Sequence, residues 1–133
     1  MKISKGTTRI VIFIGKLAFK IPILNKSLTY FIKGWLGNVD ERNIWRDKKD
    51  RKLCPIYFSL FGLVNIMPRA LPITDQKFNK QWIIELFKEL DIQVDVCNGW
   101  KNFGYIDTRI VIIDYATCRE STDACYPGCC WQD

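Results

Sequence analysis

The sequence predicts a small α+β domain, an antiparallel sheet with amphipathic helices, and three observations lead there. Runs rich in Val, Ile and Phe come in pairs with hairpin spacing. Helical stripes at i, i+3, i+4 and i+7 lie between them, and no repeat or low-complexity segment interrupts the pattern. At 133 residues, 48% hydrophobic and 26% charged, the chain can bury one core and has ordinary globular composition. A single domain over 1–133 is expected. The apolar run at 10–14 is flanked by Arg9 and Lys16 and falls far short of a membrane span, with no small-residue cleavage site after it. A soluble, unprocessed protein with no membrane partner is therefore expected.

The elements follow in order. Residues 8–14 and 17–21 are β-branched and aromatic runs separated by Gly15-Lys16, which is hairpin spacing with a Gly able to take a positive φ. Ser27 then precedes Leu28, Phe31, Ile32, Trp35 and Leu36, a stripe that predicts a short helix facing the core and closed by Gly37. Asn38 and Glu41 have the form of a capping box, so a second helix is expected from Val39 towards Lys52. Cys54-Pro55 breaks the helical region, and 56–60 with 61–67 reads as a second hairpin bent near Gly62. Pro68 and Pro72 bracket a rigid linker, 68–72, the one internal hinge the sequence suggests. Between 75 and 90, Phe78, Trp82, Ile83, Leu86, Phe87 and Leu90 form a helical stripe capped by Asp75. A last hairpin, 104–106 and 109–113, turns at Asp107-Thr108, and a Cys-rich tail spans 117–133.

Net charge is +6, unevenly spread. Residues 1–70 hold 14 Lys/Arg against 4 Asp/Glu, a balance of +10, and residues 71–133 hold 6 against 10, a balance of −4. A basic half can attract nucleotide phosphates, nucleic acid or an acidic protein surface. Its densest run holds Arg46, Lys48, Lys49, Arg51 and Lys52. The plainer account of that run is a solvated helix end whose cations suit the negative pole of the helix. Two Asp interrupt it and no aromatic is interleaved, which weakens a nucleic-acid reading.

Six cysteines and no His limit the chemistry. Imidazole bases and mixed Cys/His zinc sites are excluded. Cys118, Cys125, Cys129 and Cys130 could supply four thiolates, but their spacing lacks the paired Cys-x-x-Cys knuckles of structural zinc, so zinc is disfavoured. Reduced thiols in a tail that covers the core are expected instead. Cys54 and Cys97 read as small buried hydrophobes.

The stretch NFGYIDTRIVIIDYA, 102–116, sets an Asn, a tight hairpin and an Asp in the order that protein kinases use to hold metal and ATP phosphates. With Lys20 in a strand-like run, Glu41 in a helical one and a strand ending at Pro68-Arg69-Ala70, residues 8–116 resemble a trimmed protein-kinase domain. The resemblance implies a five-stranded antiparallel half and a helix-plus-hairpin half. It implies that Lys20 contacts ATP phosphates and pairs with Glu41, that Asn102 and Asp114 bind magnesium, and that 67–70 receives adenine. Other roles stand beside these: a solvated edge-strand Lys20, a capping Glu41 and a turn-capping Asp114.

The departures shape the expected function. Only residues 1–7, with the single Gly6, precede the first recognisable strand, so the Gly-rich lid over the phosphates is expected to be missing. The position of the catalytic base, five residues before Asn102, is Cys97, with Asp95 the nearest substitute. Nineteen residues follow Asp114, fewer than an activation segment and substrate-binding helices need. Small basic kinase-like proteins of this kind resemble bacteriophage accessory proteins. That resemblance implies a catalytically impaired protein of the host cytoplasm that binds and inhibits a host protein, a defence nuclease being one candidate, with no cofactor. Trp100, Tyr126 and Trp131 would add to the partner surface if exposed, and pack the tail if not. Two alternatives stand: an active minimal phosphotransferase using Mg·ATP, with Asp95 as base, and a nucleic-acid binder using the basic N-terminal half.

Overall fold

The computed structural model of the chain describes residues 1–6, 8–73 and 103–115. They form a small α+β structure of one helix and two antiparallel sheets, divided into two compact units, Met1–Arg69 and Ala70–Asp133. The boundary falls within the expected linker at 68–72.

The first unit carries a five-stranded sheet and the helix. Its strands are β1 (Lys2–Lys5), β2 (Arg9–Ile14), β3 (Leu17–Pro22), β4 (Phe58–Ser59) and β5 (Asn65–Pro68), and their spatial order is β1-β2-β3-β5-β4. The β2–β3 hairpin forms as the sequence predicts: Ile14 pairs with Leu17, and Gly15 takes φ 57° in the turn. β1 corrects the expectation that no strand precedes residue 8, because Lys2–Lys5 pairs antiparallel with β2, Lys5 opposite Ile10. All four of its residues are exposed and two are Lys, a composition that suits a sheet edge and carries little apolar signal.

The helix α1 (Leu28–Lys48) replaces the two short helices expected here. Ser27 is its N-cap as predicted, accepting from the Tyr30 N–H at 3.3 Å. It then runs unbroken through Gly37 to Lys49, whose left-handed φ of 44° and N–H···O bond to Trp45 (2.9 Å) end it. Asn38 therefore caps nothing. Its side chain is turned inward onto the sheet, and those tertiary bonds hold the helix continuous where local propensity would end it. The buried face is also corrected. Gly34, Asn38, Asp40 and Glu41 are buried, whereas Leu28, Ile32 and Trp35 of the expected core stripe are exposed. Gly34 has a steric reason: a Cβ there would clash with the Thr8 carbonyl oxygen and lie 3.1 Å from the Pro22 Cα, so the helix crosses the strands backbone to backbone.

The second hairpin is shorter than expected, with β4 and β5 joined by a loop over 60–64 that holds Phe61 at φ 52° and Gly62 at φ 81°. The prolines also differ from expectation, since both sit in ladders: Pro68 is opposite Leu17 in β5, and Pro72 is opposite Gly104. Cys54 is buried, as the sequence suggests, with Sγ 3.7 Å from the Pro68 carbonyl oxygen.

In the second unit β6 (Leu71–Pro72), β7 (Phe103–Ile106) and β8 (Arg109–Ile112) form a three-stranded sheet in that order. The predicted β7–β8 hairpin forms, with Ile106 opposite Arg109 and Asp107 at φ 55° in the turn. Ile73, Phe103, Val111, Ile112 and Tyr115 are buried. The helix expected at 75–90 lies outside the described residues. Among those residues no helix is long and apolar enough to cross a membrane.

Candidate functional site

The β2–β3 hairpin sets up the site. Its register puts Val11 opposite Lys20 and Arg9 opposite Pro22, so Arg9 and Lys20 share one face of the sheet on a diagonal. On β3, Ala18, Lys20 and Pro22 are buried while Leu17, Phe19 and Ile21 are partly exposed. Lys20 thus points to the covered face of the third strand, the face on which α1 brings Glu41. The Lys20 Nζ lies 2.9 Å and 3.1 Å from the two Glu41 carboxylate oxygens. Arg9 Nη1 reaches Glu41 Oε1 at 2.8 Å. Lys20 is 7% exposed and Glu41 not at all. A carboxylate so buried requires cations and hydrogen bonds around it, because the desolvation of an unpaired charge costs several kcal/mol.

Asn38 and Asn65, both fully buried, organise the surroundings. The Asn38 amide donates to the Lys20 carbonyl (3.0 Å) and the Gly62 carbonyl (2.9 Å), and its Oδ1 accepts from Arg9 at 3.2 Å. Asn65 donates to the Asn38 carbonyl at 2.9 Å and accepts from Ser59 Oγ at 2.6 Å. One side chain on α1 therefore ties the helix to β3, to the 60–64 loop and to the cation of β2. Such a network fixes the height of Glu41 above Lys20.

Lys20 and Glu41 come together, as the kinase resemblance implies, and of the roles left open neither the solvated lysine nor the capping glutamate describes them. Arg9 and Asn38 were missed as site residues. Arg9 was within reach, since the Gly15-Lys16 turn alone sets the register that puts it beside Lys20. In the segment 67–70, Pro68 has no N–H, and the Arg69 N–H donates to the Lys16 carbonyl at 2.8 Å.

Asp114 follows β8 in the second unit and is half-buried. Asn102, Asp95, Trp100, Tyr126, Trp131 and the four tail cysteines, 118, 125, 129 and 130, lie outside the described residues. Among the described residues no three Cys, Asp or Glu side chains converge as a metal set. The basic run closes α1: Arg46 and Lys48 stand in its last turn, Lys49 and Arg51 are exposed and Lys52 is half-buried. Comparison of the chain with protein-family models, curated proteins and solved structures finds no match.

Proposed function

We propose that this chain is a trimmed, catalytically impaired protein-kinase-like protein, encoded by a bacteriophage, that acts in the host cytoplasm by binding and inhibiting a host protein, with a defence nuclease as the first candidate. The observation that carries the kinase-like part is the buried Lys20–Glu41 pair, a lysine on the third strand against a glutamate on the helix that follows, which is the arrangement kinases use to position ATP phosphates. Impairment is supported by Cys97 at the position of the catalytic base, because a thiol five residues before Asn102 supplies no carboxylate to accept a hydroxyl proton. The inhibitory role rests on the resemblance and on the +10 charge balance of residues 1–70, which favours encounter with acidic surfaces.

The experiment is co-purification of the tagged chain from host cells, followed by assay of each captured protein with stoichiometric amounts of the chain. Inhibition that survives Asp114→Asn supports the proposal. Phosphate transfer to the captured protein, abolished by Asp114→Asn, contradicts it. A second reading, the Mg·ATP phosphotransferase, is favoured by β1, which restores a strand-turn-strand before Lys20 with Gly6 at the turn. In that reading Lys20, Asn102 and Asp114 are the residues that would hold Mg·ATP, with Asp95 as base.

A further inference from the structure

The helix face that the sequence would bury is open. Leu28, Ile32 and Trp35, spaced i, i+4 and i+7, are exposed on α1, and Phe61, 73% exposed, stands beside Trp35. The Trp35 indole donates to the Phe61 carbonyl at 2.7 Å, which fixes the loop against the helix. Phe61 holds φ 52°, a conformation that costs a bulky residue about 1–3 kcal/mol and that Gly would adopt freely. An aromatic kept exposed at such a position has no folding rationale. The same helix face continues into Arg42 and Arg46. Arg42 Nε is buried without a hydrogen-bond partner among the described residues, and its Nη2 reaches only the neighbouring Asn43 Oδ1 at 3.4 Å.

We propose that this face, Leu28, Ile32, Trp35 and Phe61 leading to Arg42 and Arg46, docks an acidic amphipathic helix of the partner protein. The proposal rests on the protein-binding reading above and names its surface. Charge complementarity selects the occupant. A second copy would set one +10 unit against another, and like charges across an interface cost several kcal/mol. Trp35 and Phe61 could stack nucleobases, but the aliphatic Leu28 and Ile32 could not, so a single strand would leave that half of the face uncovered. A carboxylate beside the exposed Arg46 complements the basic end of the face while leucines cover the apolar half.

The test uses the full chain and a labelled synthetic helix with a leucine stripe flanked by Glu, a companion with Lys for Glu, and a single-stranded oligonucleotide, read by fluorescence anisotropy. The Glu peptide should bind at least about ten-fold tighter than the Lys peptide, and Phe61→Gly and Arg46→Gln should each weaken it about ten-fold. Phe61→Gly should leave the thermal midpoint unchanged or raised, which separates lost contact from lost fold. Equal binding of both peptides, no binding near about 1 mM, or binding untouched by Phe61→Gly overturns the proposal. So does tighter binding of the oligonucleotide through the same residues, or self-association abolished by Phe61→Gly. A host protein captured equally by the Phe61→Gly chain overturns this surface and leaves the binding reading standing. Phosphate transfer with no captured protein overturns the reading itself.

Discussion

Glu41 has no exposed surface and holds two cations, Lys20 and Arg9, on one carboxylate. Replacing it with Gln keeps the shape and removes the charge that Lys20 and Arg9 share in a covered site. Breaking a buried pair from one side costs about 3–5 kcal/mol. Glu41→Gln should lower the unfolding free energy by that order in denaturant titration, and a loss below about 1 kcal/mol would show the cluster to be solvated. Asn38 gives a sharper case. Asn38→Asp is isosteric but sets an acceptor against the Lys20 and Gly62 carbonyls, so it should destabilise by about 2–3 kcal/mol, as much as Asn38→Ala. The sequence showed Asn38 only as a local cap, because its real partners are 18 and 24 residues away along the chain.

At the scale of elements, what was legible is what local chemistry decides. Gly15-Lys16 and Asp107-Thr108 set their hairpins within a few residues, and Ser27 caps α1 through its own side chain. What was not legible is decided by distant partners. Gly37 reads as a helix end, yet α1 passes through it. β1 has too little apolar content to announce a strand, and pairs because β2 offers its edge. The stripe Leu28, Ile32, Trp35 reads as core because most apolar stripes are core, and here it faces outward. Gly34 tests the packing of α1 directly. Ala is the better helix former by about 1 kcal/mol, yet Gly34→Ala should destabilise, since its methyl must displace the Thr8 carbonyl or the helix. Circular dichroism melts that rise for Gly34→Ala would contradict this close crossing.

At the scale of the molecule, the candidate site is half legible. The Lys20–Glu41 pair was implied by the kinase resemblance, whereas Arg9 joined it through sheet register and Asn38 through tertiary bonding. In the structure the Lys20–Glu41 pair fastens α1 to β3 on the covered face of the sheet. The uneven charge adds an expectation. If protein binding is the function, affinity for a single-stranded oligonucleotide should be weak and show no steep loss between low and physiological salt. A log–log slope of several units would instead mark a nucleic-acid binder.

Thermal-shift titration with ATP, with and without Mg²⁺, tests the central claim most directly when run on the intact chain, Lys20→Ala and Asp114→Ala, each compared with its own unliganded midpoint. A nucleotide at about 100 times its Kd would add about 2.7 kcal/mol, a shift of several degrees. The account expects no Mg-dependent shift in any of the three. A shift of several degrees in the intact chain, lost in both variants, would contradict it and establish a working nucleotide site.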